Sequence, residues 1–170
     1  MANWCNARLV VAGRRGDVLS FSRLSRARPS SLFGPDMLHG EADDLRSGRI
    51  KTLEPGLAKK VYAFQIRNDD GREHFCRLSR QFPALCFVLV YFDPNNDPSG
   101  SYFISRGRAR GYELPGQLQE TVMAKHGITD EVFGGEWSPD DESHYWEASW
   151  ELMDLAETHW EETLLRAIRR

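Results

Sequence analysis

The stretch "ALCFVLVYF" (Ala84–Phe92) decides the fold, because all of its residues are apolar and several are β-branched or aromatic. Both of its alternating side-chain sets are apolar, so a strand formed by these residues needs cover on both faces. The run is also only about half as long as a membrane-spanning helix. It therefore predicts a central strand in a sheet that is covered on both sides.

The segments on either side of this strand predict its neighbours. "VYAFQIR" (Val61–Arg67) alternates between a strongly apolar and a weaker set, as a strand does. "REHFCRLSRQF" (Arg72–Phe82) has its apolar residues at helical spacing and is followed by Pro83, where a helix cannot continue. After a turn cluster, "SYFISRGRARGYEL" (Ser101–Leu114) predicts one strand that pairs with the central strand in a hairpin.

The N-terminal third predicts a strand, a turn, a helix and a long loop. "ARLVVAG" (Ala7–Gly13) is a short β-branched strand, and Asp17 is a plausible N-cap for the helix that follows. Residues 26–60 contain three prolines, several glycines and scattered apolar residues, which predicts an inserted loop. The loop's apolar residues are expected to attach it to the core: Leu32, Phe33, Met37 and Leu38.

The C-terminal segment predicts helices. "GQLQETVMAKHG" (residues 116–127) is weakly helical, and "SPDD" from Ser138 has a hydroxyl N-cap, proline at the first helical position and early carboxylates. One amphipathic helix is expected from there to Ile168. Its predicted apolar stripe is Trp146, Trp150, Met153, Trp160, Leu164 and Ile168. This stripe would cover the second face of the sheet, either in the same subunit or across a dimer.

Charge and cysteine content bound the class of protein. The 170 residues carry a net charge of −3, but residues 1–60 have a balance of +5 and residues 128–170 a balance of −9. The two regions are expected to attract one another or to face different partners. Three irregularly spaced cysteines favour reduced thiols in a cytoplasm. With no signal-peptide pattern at the N-terminus and no spanning segment, no membrane partner is expected.

The order of predicted elements is compatible with an α+β ferredoxin-like sandwich, a mainly antiparallel sheet with helices on one face. "MANWCNARLVVAG" (residues 1–13) and "YAFQIRNDDGREHFCRLSRQFPALCFVLVYFDP" (residues 62–94) resemble the YubB-like ferredoxin-fold family, encoded on bacterial plasmids and phages. The resemblance implies a fold and no established activity. The expected domains are 1–116, ferredoxin-like with the 26–60 insertion, and 117–170, a helical extension.

Two arginine motifs are candidates for binding anions or nucleic acid. Gly13-Arg14-Arg15-Gly16 joins a strand to a helix N-terminus, where N–H groups and guanidinium groups could hold a phosphate. In "SRGRARG", Arg106, Arg108 and Arg110 alternate, so they would leave one face of a strand and follow phosphates. The competing interpretations are a tight turn with solvated arginines, an edge strand protected by charge, and pairing with the chain's own acidic tail.

The sequence predicts neither a metal nor a cofactor. His74 and Cys76 have ligand chemistry, but they are two positions apart on a helix, where side chains diverge, and a second pair is lacking. Cys5 has no neighbouring base to activate it as a nucleophile, so the opening Trp4-Cys5 pair is interpreted as a structural anchor.

The function expected from these residues is a non-enzymatic protein-interaction module, an accessory protein of mobile-element origin. Its partner would be another protein or a second copy of itself, with Trp146, Trp150 and Trp160 as the partner-contact or lid residues. The first alternative is nucleic-acid binding through the two arginine motifs. The second is a small enzyme with a site between the 26–60 loop and the sheet.

Overall fold

The computed structural model describes residues 4–33, 45–67, 71–93, 97–128 and 139–170. Seven strands form one antiparallel sheet: β1 (Trp4–Arg14), β2 (Arg46–Ser47), β3 (Lys51–Glu54), β4 (Leu57–Arg67), β5 (Cys86–Asp93), β6 (Asp97–Ser105) and β7 (Arg108–Glu113). Their spatial order is β2-β4-β1-β5-β6-β7, and β3 pairs with β4 farther along the same side as β2. The helices are α1 (Arg15–Ala27), α2 (Pro29–Phe33), α3 (Arg72–Gln81), α4 (Gly116–Lys125), α5 (Pro139–Thr158) and α6 (Glu161–Ile168).

The prediction of a central strand covered on both faces is confirmed. Strand β5 lies between β1 and β6, and its residues alternate between two separate hydrophobic cores. Phe87 and Leu89 belong to the first core, whereas Val88 and Val90 belong to the second. Since every residue from Leu85 to Phe92 is buried, the sheet is the middle layer of three.

The first core lies between the sheet and helices α1, α2 and α3. Tyr62, Phe64 and Ile66 of β4 contribute the apolar face that the alternating sequence predicts. Phe21 of α1 packs edge-to-face on Tyr62 of this face, and Phe75 of α3 packs at a tilt on Phe64. The sequence-predicted helix at Arg72–Phe82 is confirmed with its end at Gln81, one residue before the predicted limit.

The second core lies between the opposite face of the sheet and helices α4, α5 and α6. Ala148, Leu152 and Ala156 of α5 are fully buried against β5 and β6. Trp160 and Leu164 extend the same layer along the chain toward the C-terminus. The C-terminal helices therefore cover the second face in the same chain, which was one of the two expected arrangements.

The loop predicted for residues 26–60 is wrong over much of its length. Helix α2 and strands β2 and β3 lie within it, and β4 begins at Leu57 rather than at Val61. Strands β3 and β4 form a hairpin through Gly56, whose φ of 82° suits a turn that glycine makes without steric cost. Strand β3 of this hairpin is at the sheet edge, and charged residues in both strands interrupt the apolar alternation by which strands are recognised.

The predicted attachment of the 26–60 segment to the core is confirmed for two of the four predicted residues. Leu32 and Phe33 are buried in the first core, as expected. Met37 and Leu38 lie outside the described residues.

Two long elements predicted as continuous are each divided in two. Ser101–Leu114 contains a turn at Arg106 and Gly107, both with positive φ (50° and 79°), so it forms β6 and β7. Positive φ at both central residues is the conformation of a type I′ hairpin turn. The predicted helix ending at Ile168 is interrupted at residues 159–160, which separates α5 from α6.

The start of α1 also differs from the prediction. The helix begins at Arg15, and its N-cap residue is Arg14, which makes no side-chain capping bond. Asp17 is in the first turn instead, where its carboxylate still interacts favourably with the helix dipole. The predicted N-cap of the C-terminal helix, Ser138, lies outside the described residues, although Pro139 is the first helical residue, as expected.

The chain is therefore an α+β protein built on a seven-stranded antiparallel sheet. Strands β4 and β5 run parallel to each other with β1 antiparallel between them, and α3 connects them as in a split βαβ unit. Helix α1, in contrast, lies in the connection from β1 to β4, and these two strands pair directly with each other. In the part of the chain that the structure describes, no helix combines the length and hydropathy needed to cross a bilayer.

Candidate functional site

Two of the predicted anion-contact residues, Arg14 and Arg106, meet in one cleft. We call it the arginine cleft; it has a volume of about 450 Å³ and its lining includes Arg14, Asp17, Cys86, Ser105, Arg106 and Arg170. These residues come from the end of β1, the start of α1, strand β5, the β6–β7 turn and the C-terminus. The sequence placed Arg14 and Arg106 in separate motifs, and the fold brings them together.

Close backbone packing places the two arginines beside the exit of α3. A Cβ atom at Gly13 would lie 2.8 Å from the Leu85 side chain and 3.0 Å from the Ala84 carbonyl oxygen, so only glycine lets β1 approach this segment. Arg106 donates a hydrogen bond from its Nε atom to the carbonyl oxygen of Pro83, at 3.4 Å. Arg106 is therefore bonded to the short connection between α3 and β5, and Arg14 directly follows the glycine that packs on it.

The Cys86 thiol in the lining of the arginine cleft is neutral. Burial raises the pKa of the Cys86 thiol, partly offset by a hydrogen bond to the Ser105 hydroxyl, at 3.9 Å, and by the charge of Arg106. A thiol with a raised pKa stays protonated at neutral pH and adds no negative charge. Asp17 is the one carboxylate among the described residues that line the cleft.

The other predicted anion-contact residues lie elsewhere. Arg15 donates a hydrogen bond to Thr52, at 3.3 Å. Arg108 and Arg110 are on β7, an edge strand of the sheet, and the guanidinium of Arg110 lies over the ring of Trp160, at 5.5 Å. The prediction that Arg106, Arg108 and Arg110 leave one face of one strand is wrong, because Arg106 is in the turn.

The three predicted partner-contact or lid tryptophans divide into two kinds. Trp160 is buried, 6% exposed, and its Nε1 atom donates a hydrogen bond to the Ser101 hydroxyl, at 2.8 Å. Trp146 and Trp150 are 36% and 46% exposed. On α5 the expected apolar stripe is confirmed for Met153 and wrong for Trp146 and Trp150. The buried face of this helix is Tyr145, Ala148, Ser149, Leu152, Met153 and Ala156.

Small residues explain this rotation of α5. Ala148 and Ala156 are completely buried and Ser149 nearly so, which allows the helix to lie close to the sheet. The predicted stripe put the tryptophans on the buried face because they are the largest apolar residues of the helix. The spacing of the small residues was the signal in the sequence for the true buried face.

The exposed tryptophans border a second depression, which we call the tryptophan groove. It has a volume of about 540 Å³, and its lining includes Asn6, Arg46, Gln65, Trp146, Trp150 and Met153. Gln65 donates a hydrogen bond to the Asn6 side-chain oxygen, at 3.1 Å. The guanidinium of Arg8 lies 5.2 Å from the centre of the Trp150 ring.

The acidic C-terminal region pairs with basic residues of the N-terminal part, which confirms one of the expected arrangements. Arg8 forms ion pairs with Asp154 and Glu157, and Lys59 pairs with Glu157 at 3.0 Å. Farther along the helix, hydrogen bonds from Lys125 and His126 lower the pKa of Glu151. Part of the charge separation along the sequence is therefore neutralised within the fold.

A buried lysine is the feature that sequence reasoning missed. Lys60 is 1% exposed and donates a hydrogen bond to the Ser22 hydroxyl, at 2.7 Å. Burial is the main cause that lowers the pKa of Lys60, and the charge of Arg26 adds to it. Nearby, the hydroxyls of Ser25 and Tyr62 are 3.1 Å apart. The only sequence signal was the helical spacing of Ser22 and Ser25 on the buried side of α1.

The residues considered as metal ligands or nucleophiles have structural contacts. A ring nitrogen of His74 lies 2.6 Å from the carbonyl oxygen of Leu32. The buried Cys5 thiol donates to the carbonyl oxygen of Phe92, at 3.3 Å, which ties β1 to β5. Among the described residues, no group of three or more histidine, cysteine or acidic side chains is arranged to hold a metal ion.

Comparisons with protein-family models, with curated proteins and with solved structures found no match to this chain. The function is therefore inferred from the arginine cleft and the tryptophan groove themselves.

Proposed function

We propose that the protein is a non-enzymatic protein-interaction module that binds its partner in the tryptophan groove. The observation that carries this proposal is the exposure of Trp146 and Trp150, one helical turn apart, beside a depression of about 540 Å³. Tryptophan is enriched among the residues that dominate binding energy at protein interfaces. Large aromatic side chains that stay more than a third exposed on an otherwise well-packed helix favour a binding role.

The scaffold behind the groove presents these rings in a defined position. The opposite side of α5 is anchored by Leu152 and Ala156, which are completely buried against the sheet. A ring held on a rigid helix loses little conformational entropy on binding. The groove is therefore suited to recognise a partner without rearrangement of the backbone.

Charge indicates the chemistry of the partner. Helix α5 contains seven carboxylates and no lysine or arginine. Two of those carboxylates are close in sequence to the tryptophans and largely exposed: Glu147 is 63% exposed, and Asp154 is 69% exposed while also paired with Arg8. The Trp150 ring already accepts one guanidinium, that of Arg8. Among the described residues, the lining of the groove itself contains one cation, Arg46, and no carboxylate, so the partner that fits is a protein segment that places apolar side chains in the groove and an arginine or lysine toward Glu147 beside Trp146.

Selection of peptides from a random library, displayed on phage, tests this proposal. The immobilised wild-type protein would be the target, and a Trp146→Ala/Trp150→Ala double variant would remove binders that do not need the groove. The expected consensus contains arginine or lysine next to apolar residues. Selected peptides should bind the double variant at least tenfold more weakly, because truncation of central aromatic residues typically costs about 2 kcal/mol or more.

The matched control is Leu24→Ala, which removes another exposed apolar side chain, 44% exposed, from α1 on the other side of the sheet. Its peptide affinity should equal that of the wild type. Three results would overturn the proposal: acidic consensus peptides, equal binding to the double variant, or self-association through the groove that Trp146→Ala/Trp150→Ala abolishes. The last result would identify a homodimer interface instead.

We further propose membership of the YubB-like family, a ferredoxin-like relationship of the sheet, a mobile-element origin and a cytoplasmic location. The split βαβ arrangement of β4, α3 and β5 supports the ferredoxin-like relationship. Cys5, Cys76 and Cys86, which all lie within the described residues, form no disulfide bond, and this supports a reducing compartment.

A further inference from the structure

We propose that the arginine cleft binds a small phosphate-bearing molecule, with the phosphate between the guanidinium groups of Arg14 and Arg106. This site is separate from the tryptophan groove, so the inference does not depend on the proposed protein partner. Arginine suits this role because its planar fork of N–H donors matches the oxygens of a phosphate group.

The charge of the arginine cleft favours an anion. Three guanidinium side chains and one carboxylate line it, which leaves a side-chain charge of +2. Within the described part of the chain, neither Arg14, Arg106 nor Arg170 forms an ion pair with a carboxylate, whereas other arginines do, including Arg8 and Arg77. The positive charge at the cleft therefore remains available for a ligand from solution.

The first turn of α1 adds to this preference. Arg14 is the N-cap residue and Asp17 is the third residue of the helix, and both line the cleft. No side chain caps the helix, and its first N–H group, that of Arg15, donates to the carbonyl oxygen of Gly56, at 2.9 Å, so the other donors of the first turn are the N–H groups of Gly16 and Asp17. The cleft therefore combines N–H donors, the helix dipole and the charges of Arg14 and Arg106, and the Asp17 carboxylate offsets only part of this positive charge.

The size and the floor of the cleft indicate a small molecule rather than a polymer. Its volume of about 450 Å³ lies in the range of small-ligand pockets, roughly 300–1,000 Å³. Cys86 and Ile168 form apolar lining beside the Ser105 hydroxyl. The apolar part accommodates the organic portion of a phosphate monoester, while the hydroxyl can donate to an oxygen of the ligand.

Arg106 offers a substitution that removes the charge and keeps the turn. It adopts a left-handed conformation, with φ of 50°, which asparagine adopts more readily than arginine. Arg106→Asn is therefore expected to fold at least as well as the wild type. Arg108→Asn, two residues away on the exposed edge strand, changes the net charge equally and lies outside the lining of the cleft.

Calorimetric titration at constant ionic strength, with phenyl phosphate and inorganic phosphate as probes, tests the proposal. We expect saturable binding of phenyl phosphate to the wild type, weakened at least tenfold by Arg106→Asn and by Arg14→Gln. Arg108→Asn should retain affinity within a factor of two, since screening of bulk charge affects all variants alike.

Three outcomes would overturn the inference. The first is the absence of saturable phosphate binding to the wild type. The second is an equal loss of affinity in Arg106→Asn and Arg108→Asn, which would reveal only a general charge effect. The third is tight, salt-sensitive binding of a single-stranded dT12 oligonucleotide that depends on Arg108 and Arg110, which would identify a nucleic-acid surface instead.

Discussion

Substitution of Trp160 tests whether the second core stabilises the fold. Its ring packs on Phe103, with centroids 5.8 Å apart, and its Nε1 atom donates to the Ser101 hydroxyl, at 2.8 Å. That hydroxyl in turn donates to the carbonyl oxygen of Ala156, at 2.9 Å. Trp160→Ala therefore removes a buried ring and leaves one side of a buried hydrogen-bond chain without its donor.

The expected cost is about 3–5 kcal/mol, the usual range when a buried tryptophan or phenylalanine is replaced by alanine. Loss of the donor to a buried hydroxyl places the result toward the upper part of that range. For a chain of this length, a loss of about 4 kcal/mol lowers the melting temperature by roughly 8–16 °C. Trp150→Ala is the matched control: it removes an equal ring that is 46% exposed, and it should cost less than about 1 kcal/mol.

Urea unfolding followed by far-ultraviolet circular dichroism measures both variants on the same scale. The free energy of unfolding of Trp160→Ala should be lower than that of Trp150→Ala by more than about 2 kcal/mol. Equal costs for the two substitutions would refute the assignment of Trp160 to the core and of Trp150 to the surface. A small cost for both would show that the C-terminal helices contribute little to stability.

Two further predictions concern charged groups at different depths. Glu157 is 16% exposed and bonded to both Arg8 and Lys59, so Glu157→Gln should lower the free energy of unfolding by about 1–3 kcal/mol. Glu73 forms an exposed pair within α3, so Glu73→Gln should lower it by less than about 0.5 kcal/mol. Similar urea midpoints for the two variants would contradict this. Burial lowers the pKa of Lys60 in the folded chain below its value in the unfolded chain, which is about 10.4. Between these two pKa values the unfolded chain binds more protons than the folded chain, so the stability contributed by Lys60 rises with pH. The free energy of unfolding of the wild type, relative to Lys60→Met, should therefore increase between neutral pH and about pH 10, and a difference that does not change with pH would refute this linkage.

The interior of the fold follows from local apolar patterns. The run from Leu85 to Phe92 has apolar residues in both alternating sets, so a strand with two covered faces was the one arrangement that buries them all. Tyr62, Phe64 and Ile66 likewise predicted one buried face of β4. In both segments the buried face is set by the alternation of residues within the strand itself, so the sequence is sufficient to predict it.

Elements at the edge of the sheet were harder to predict, because their residues do not alternate in hydropathy. Strand β3 and the first residues of β4 are largely polar, and their pairing depends on the turn at Gly56. The turn at Arg106 was missed because arginine rarely adopts positive φ, and the tertiary contact between the Gly107 N–H and the Ser79 hydroxyl, at 2.7 Å, supports it.

The candidate sites depend on distant contacts that no local pattern contains. Arg14 and Arg106 are far apart in sequence, and the close approach of β1 to Ala84 and Leu85 brings them to one cleft. The rotation of α5 that exposes Trp146 and Trp150 results from packing of small residues on the sheet. The sequence predicted which residue types were candidates, whereas their grouping required the folded chain.

The central claim is that one sheet is buried on both faces by helices of the same chain. Thermal unfolding of a chain that ends at residue 138, beside the complete sequence, tests it most directly. Removal of α5 and α6 uncovers Val10, Val88 and Val90, so we expect the shortened chain to aggregate or to lose its cooperative transition. A shortened chain that remains monomeric with an unchanged melting temperature would contradict the account.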